Sequence, residues 1–452
     1  MQAAQQALDV TAQNVANANT PGYSRQRVDQ AAIQSNPYLG MNTGHQAVLS
    51  GVEVTDVERI KSEFLQTAAS TAVGKQSSLQ SQVNPLNDVQ SMLNEPGDNG
   101  LQASIDNFYT SWHELANNPT PALSTAGVQV LATGAAVATQ LNSLSHGLSE
   151  EWQNQHATLV SVVDQANAAA ATVASLNTQI VSGTVAELNV NDLMDQRDKA
   201  VNTLASLVGG VSIPGSDGQT SVSVNGIALV SGGYATKLKV AGGGDITTAA
   251  TDPPTLMIDS AAATPSFGSA AGLLSSLGTD LPSISSRMDG VATSLRDAVN
   301  GLQDAGFTLA GDSGTDFFAG TGAGDLNVAL TTADQIAVSS LAGGQDGGNA
   351  LKIANLADDG TAAAALGGTD GPSVQYRSLT AGLGTQVQSL NTALTSQTAI
   401  VTSTQSAVDS DSGVSLDEEL TNMLLYQRSY QASAKVITTT DEMLQTLIGM
   451  VS

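Results

Sequence analysis

The chain has no cysteine among its 452 residues, which removes disulfides, Cys-ligated zinc and thiol nucleophiles together. Aromatic residues are scarce as well, at 3%, so Leu, Val, Ile and Ala must supply most of the packing, at close helix–helix contacts rather than in an aromatic-rich barrel. Positive charge is the third shortage. Fifteen Lys and Arg stand against 41 Asp and Glu, a formal net charge of −26. A field of that sign repels phosphate backbones and anionic lipid alike, so no nucleic acid partner is expected. No uninterrupted apolar run approaches the ~18 residues of a membrane span, and residues 1–20 lack the basic start and apolar stretch of a secretory signal. Neither membrane insertion nor a Sec-type route is therefore expected.

What the chain does contain is helical periodicity. At about 150 residues per domain its length suggests three domains. The strongest signal runs from about Pro121 to Ser182, where Leu141, Leu148, Trp152, Leu159, Val162, Val173, Leu176 and Ile180 hold a heptad register. Ala138, Ser145, Ala166 and Ala169 fill the other seam positions, and Gly127, Gly134 and Gly147 are expected to interrupt its first third. A second amphipathic helix is expected over 191–208, stopped by Gly209 and Gly210. From Val211 to Asp259 the pattern changes to short alternating runs punctuated by Gly, with Asn225-Gly226 as a type I′ hairpin signal. Helical pattern returns at 284–302, followed by a loop-rich stretch to about Ser373. The expected fold is mainly α with inserted β, elongated and multi-domain. A long coiled-coil-like helical bundle is built from discontinuous N- and C-terminal chain, with a small β-rich domain at 209–269 set into helical segments 31–208 and 270–409.

Both ends carry matching seams. Val387, Leu390, Leu394, Val401 and Val408 keep a 3-4 register until Gly413 breaks it, and Leu416, Leu420, Met423, Tyr430, Ala434, Ile437, Leu444, Ile448 and Val451 keep another. Ala4, Leu8, Thr11, Val15 and Ala18 do the same at the N-terminus. Such helices need a partner, either each other or a neighbouring subunit. Residues 1–30 and 410–452 therefore read as paired terminal segments, mobile in the isolated chain at 1–20 and 416–452.

Strings that look like chemistry have plainer readings. In HELAN (113–117) Asn117 stands where a second zinc-binding His would be needed. GDSGT (311–315) lacks the positioned His and Asp of a serine protease on a β-barrel and reads as a flexible turn. Asp409, Asp411 and Gly413 miss the calcium-loop spacing and read as a helix stop. Gly320, Gly322 and Gly324 do not sit between a parallel strand and a helix, so no dinucleotide loop is expected. No catalytic, cofactor-binding or metal-ligating set emerges, and the expectation is no enzyme and no cofactor.

NVANANTPGYSRQ (14–26), preceded by ALDVTAQ (7–13), resembles the N-terminal signature of the bacterial flagellar axial family of rod, hook and hook-associated proteins. The tail VSLDEELTNMLLYQRSYQASAKVITTTDEMLQTLIGM (414–450) resembles its C-terminal partner. DLMDQRDKAVNTLASLVG (192–209) and GDSGTDFF (311–318) look like segments of the hook-associated branch rather than of hook or distal-rod subunits. The resemblance implies a structural adaptor at the hook–filament junction, polymerising through paired terminal helices that form an inner layer, with β-rich insertions projecting outward. Physical reading of the turn agrees: Pro21 biases Thr20 away from α and Gly22 permits a sharp exit, so the first helix stops there. The expected assembly interface is Leu8, Val15, Asn17, Asn19, Pro21, Gly22, Tyr23, Leu416, Leu420, Met423, Leu424, Tyr430, Ile437, Leu444 and Ile448. The implied partners are further copies of this chain, the flagellar hook protein, hook-associated protein 3, and an export chaperone at the C-terminal helix. The implied location is the extracellular flagellum, reached through the flagellar type III apparatus. Relatives are expected to carry a short helical lead before AAQQALDV and a larger outer insertion than the one between Phe318 and Leu351. Two other readings are another axial subunit, hook or distal rod, and a surface adhesin carried on a flagellar scaffold.

Overall fold

The computed structural model describes residues 1–33, 51–119, 123–344, 346–357 and 371–451. Its helices are α1 (Gln2–Asn17), α2 (Glu63–Leu93), α3 (Leu101–Asn117), α4 (Val128–Val185), α5 (Asn191–Val208), α6 (Ser269–Ser275), α7 (Leu281–Ala305), α8 (Gly348–Ala354), α9 (Pro372–Ser412) and α10 (Leu416–Val451). The strands are β1 (Gln26–Ala32), β2 (Val52–Arg59), β3 (Gly210–Pro214), β4 (Thr220–Val224), β5 (Ile227–Ser231), β6 (Tyr234–Ala235), β7 (Leu238–Ala241), β8 (Thr255–Ile258), β9 (Ala261–Ala262), β10 (Phe318–Ala319) and β11 (Asn327–Val328). The chain folds into two compact units, each made of discontinuous segments: Met1–Lys75, Gln165–Lys237 and Gln397–Ser452 in one, Gln76–Asp164 and Leu238–Ser396 in the other.

The long heptad folds as α4, 58 residues and about 87 Å at 1.5 Å per residue. Leu141, Leu148, Trp152, Leu159, Val173 and Ile180 are all buried. Pro121, at the expected start, lies outside the described residues, and Leu123–Gly127 forms a π-turn that leads into the helix. Gly134 and Gly147 do not interrupt it. A Cβ on Gly134 would stand 2.8 Å from a Phe317 ring carbon, and one on Gly147 2.7 Å from the Met92 sulfur, so these glycines exist for close approach. By length and mean hydropathy the stretch Thr125–Val185 passes for a membrane span, although half of its most apolar window is buried inside the protein.

In the unit that contains both chain ends, β1 and β2 form an antiparallel hairpin with an irregularity between Asp29 and Gln30. Strands β3-β4-β5-β6 form a second antiparallel sheet. Asn225 and Gly226 both take positive φ, at 47° and 83°, as the type I′ turn between β4 and β5 requires. Asn177 of α4 is fully buried, donating to the carbonyls of Thr220 and Gly232, while its own oxygen accepts the Thr220 N–H. One amide side chain thereby fixes the helix to the sheet. Helix α5 ends where expected, with Gly209 left-handed at φ 66°.

The other unit is organised around the few aromatics. Phe108 and Trp112 of α3 meet Phe317 and Phe318, with ring centroids 4.7–6.2 Å apart in tilted or edge-on pairs. The β-rich stretch is shared between the units, since β7-β8-β9 belong here. Gly272 of α6 lies so close to α2 that an added Cβ would collide with the Ser78 carbonyl oxygen. Trp152 donates its indole N–H to the Leu277 carbonyl, and Asp280 accepts from Gln82 and Gln386, joining α2 and α9 to the start of α7. The turn at 311–315 is tied rather than flexible: Gly314 N–H donates to the Gly306 carbonyl and Thr308 N–H to Asp312.

Candidate functional site

Three of the strings that carry the family resemblance converge in one place. Helix α1 buries Ala7, Val10, Thr11 and Asn14. Asn14, near its C-terminal end, hydrogen-bonds Glu419 in the first turn of α10, and α10 is half-buried at Met423, Tyr426, Tyr430 and Ala434 beyond it. The two helices therefore run antiparallel.

Asn14 is the hub of a buried polar cluster. Its Nδ2 donates to the Gln26 carbonyl (2.9 Å) and to Glu419 Oε2 (3.1 Å), while its Oδ1 accepts from the Tyr23 hydroxyl (2.9 Å) and the Gln26 N–H (3.0 Å). Arg25 reaches Glu419 Oε1 through Nε and Glu418 Oε2 through NH1, both at 2.8 Å, and its own N–H donates to the Ser412 carbonyl. Burial, followed by the charges of Asp192, Asp195 and Glu419, raises the Tyr23 pKa, so this hydroxyl stays protonated as a donor. The turn Asn19–Gly22 stands out in solvent, with Gly22 at φ 85° where an L side chain is strained.

DLMDQRD forms the next shell. Ser24 N–H donates to Asp195, Arg59 bridges Asp195 (2.7 Å) and Asp198 (2.9 Å), Lys61 joins Asp198 (2.7 Å), and Asn191 bonds the Gln26 side chain and the Val57 carbonyl. Burial raises the Asp195 pKa despite the opposing pull of Arg59. Burial also works against the Arg59 charge, but Asp198 and Asp195 more than offset it and hold Arg59 above its ordinary value. Among the described residues no group of three or more His, Asp and Glu is placed to hold a metal ion. The exposed His113 and Glu114 of HELAN sit on the outer face of α3.

The expected interface residues divide. Leu8, Val15, Asn17 and Tyr23 are half-buried, as are Met423 and Tyr430 on the face turned to α1. Asn19, Pro21 and Gly22 are exposed. Leu416, Leu420, Leu424, Ile437, Leu444 and Ile448 are exposed by 48–68%, far above what apolar side chains in a finished core show. The α1 seam is rotated: the buried set 7, 10, 11 and 14 replaces the expected 4, 8, 11 and 15, because Asn14 must face Glu419. Sequence reading missed Asn14, Arg25, Gln26 and Glu419 as the binding cluster. The signal was a polar residue breaking an apolar helix stripe, which apolar periodicity does not count.

Glu419→Gln keeps the size of this group and removes its charge. With the Glu419 side chain only 3% exposed, the loss of charge-assisted bonds is expected to cost the α1–α10 contact about 1.5–3 kcal/mol. Amide exchange in α1 should quicken about 10- to 100-fold while the Trp112 unit is unchanged. Undiminished α1 protection would show that the apolar contact alone holds the pair.

Comparison with known proteins gives this geometry a family. The Flagellar hook-associated protein FlgK helical domain matches residues 86–318, the Flagella basal body rod protein family matches 1–23, and the Flagellar basal body rod FlgEFG protein C-terminal family matches 405–450. The chain is 30% identical to flagellar hook-associated protein 1 of Bacillus subtilis, covering 99% of this chain and 96% of that protein. It is 25% identical to flagellar hook-associated protein 1 of Escherichia coli, over 100% of this chain and 98% of the relative. That second alignment spans 548 positions, so the relative carries insertions this chain lacks. The flagellar hook junction protein FlgK from Burkholderia pseudomallei shares the fold with a TM-score of 0.64 at 16% identity, covering 76% of this chain and 99% of that one. With its terminal helices locked together and its helical domain matched over more than half the sequence, the chain belongs to the flagellar hook-associated protein 1 family and is a non-catalytic structural protein of the hook–filament junction.

Proposed function

We propose that this chain joins hook to filament by packing alone, with segments 1–30 and 410–452 as its inner layer. The observation that carries this reading is the tail. From Lys435 to Met450 every side chain of α10 is exposed, although Val436, Ile437, Met443, Leu444, Leu447, Ile448 and Met450 are apolar. Large uncovered apolar patches mark association surfaces, and each such side chain contributes roughly 1–2 kcal/mol when a neighbour covers it. Leu8, Val15, Asn17, Asn19, Pro21, Gly22, Tyr23, Leu416, Leu420, Met423, Leu424, Tyr430, Ile437, Leu444 and Ile448 line the contacts between copies of this chain, with the flagellar hook protein below and hook-associated protein 3 above. The assembled site is extracellular and is reached by flagellar type III export. A strain lacking the chain is expected to keep complete hooks and to release unpolymerised flagellin into the medium. Filaments of normal length on such a strain would overturn the reading.

The same tail is the handle for a cytoplasmic export chaperone, whose helical groove covers the stripe until export. Glu419 is occupied by Arg25, which favours apolar docking over recognition of Asp417, Glu418 and Glu419. Removing residues 416–452 is expected to abolish chaperone binding, and Leu420→Ala with Met423→Ala to weaken it severely. Calorimetry should show a negative heat-capacity change and little loss of affinity in high salt. Steep salt dependence would assign recognition to the acidic cluster instead.

A further inference from the structure

The polar cluster between the chain ends has a consequence for which part of α10 is left free. The α1 side of the contact is built from small groups, with Ala7, Val10 and Thr11 buried beside Asn14. The α10 face that meets them continues past the end of α1 at helical spacing, from Met423, Tyr426 and Tyr430 to Ile437, Leu444 and Ile448. Sliding α1 one heptad along this face would exchange small partners for small partners. It would also cover Ile437, which is 57% exposed in the register observed. Apolar burial therefore does not hold α1 where it is.

The polar groups do. Glu419 is the one carboxylate of α10 that is buried, and its two oxygens are taken by Arg25 Nε and Asn14 Nδ2, with Asn14 in turn held by Tyr23 and Gln26. A slip of even one turn moves Asn14 away from Glu419 by about 5.4 Å and strands a buried carboxylate. A single polar residue in an otherwise apolar helix seam is the best-attested device for fixing register.

We infer that Glu419, with Arg25 and Asn14, is a register lock that keeps α1 on the first half of α10 and so keeps Ile437, Leu444 and Ile448 uncovered for a neighbouring subunit. This rests on the proposed assembly role of the tail. Without the lock the chain covers its own docking stripe.

The absence of native cysteine makes the test free of background. In the antiparallel pairing Ala7 faces the level of Tyr426, and a one-heptad slip brings it to the level of Ser433. Full-length chains carrying Ala7→Cys with Tyr426→Cys report the native register, and Ala7→Cys with Ser433→Cys the slipped one. With the lock intact the native pair should oxidise at least 10-fold more completely. When Arg25→Met and Glu419→Met replace the ion pair by apolar side chains of similar length, the slipped pair should rise to a comparable yield and amide protection should spread to residues 437–448. Glu419→Gln, which keeps the shape, should raise the slipped yield by a smaller factor and decides the matter if the double variant does not fold. An unchanged native-to-slipped ratio in the folded variants would overturn the lock. These measurements use the isolated subunit, whereas the assembly role stands or falls on hook-capping by the wild-type chain. Undiminished hook-capping by a slipped variant would overturn the claim that the lock keeps the stripe free.

Discussion

Aspartate in place of Leu420 or Ile437 is expected to abolish assembly at the hook tip while leaving the folded body intact. In the isolated chain these side chains are 51% and 57% exposed, so a charge there meets water and changes subunit stability by no more than about 0.5 kcal/mol. In a packed helical layer the same carboxylate would be buried in an apolar seam, at a cost on the order of several kcal/mol per copy. Many copies repeat that cost around one ring of subunits. Both tryptophans, Trp112 and Trp152, lie in the unit made of Gln76–Asp164 and Leu238–Ser396, so intrinsic fluorescence reports on the body and not on the tail. Electron microscopy of hooks mixed with the variants should show bare tips, and the fluorescence transition in urea should coincide with that of the wild type. A lowered fluorescence midpoint would mean that α10 belongs to the same cooperative core as the body.

Phe317→Ala is expected to do the reverse, weakening the body while leaving the terminal pair unchanged. The Phe317 ring is fully buried and sits 5.7 Å from Phe108, 5.6 Å from Trp112 and 4.7 Å from Phe318. Gly134 of α4 has no side chain at the point where this ring approaches, so the cavity left by alanine is walled by backbone and rigid rings and cannot collapse easily. Truncating a phenylalanine in such a site costs about 3–5 kcal/mol. Since urea lowers stability by about 1–3 kcal/mol per molar, the fluorescence midpoint should fall by roughly 1–3 M. Exchange protection of Ala7 and Val10 in α1 should stay as it was. A midpoint within 0.3 M of wild type, on the order of 0.5 kcal/mol at such slopes, would show that the aromatic cluster is dispensable.

Much of the molecule was legible before any coordinate. Helix α4 follows from a heptad sustained over many turns, α5 from its amphipathic face and the left-handed Gly209, and the β4–β5 hairpin from Asn225-Gly226. Those elements are set by local periodicity and turn chemistry, which act over a few residues. The glycines of α4 misled for the same reason. Propensity treats Gly134 and Gly147 as breaks, whereas the rings and the Met92 side chain that use their missing Cβ come from distant chain. GDSGTDFF read as a loose turn because nothing local announces that Phe317 and Phe318 fill the space between α3 and α4.

The terminal helices divide the question most clearly. Sequence alone determined that 416–451 is a helix with an apolar stripe and that α1 stops before Pro21, since periodicity and proline sterics require no partner. It also carried the resemblance by which the family was recognised. Only the tertiary structure decided which face of α1 is turned inward, because that depends on Asn14 meeting Glu419 across 405 residues of chain. It likewise decided that DLMDQRD exists to receive Ser24, Arg59 and Lys61, and that Ile437, Leu444 and Ile448 remain open. A buried charge pair fixes position only when both partners are in place, and no window along the sequence contains both.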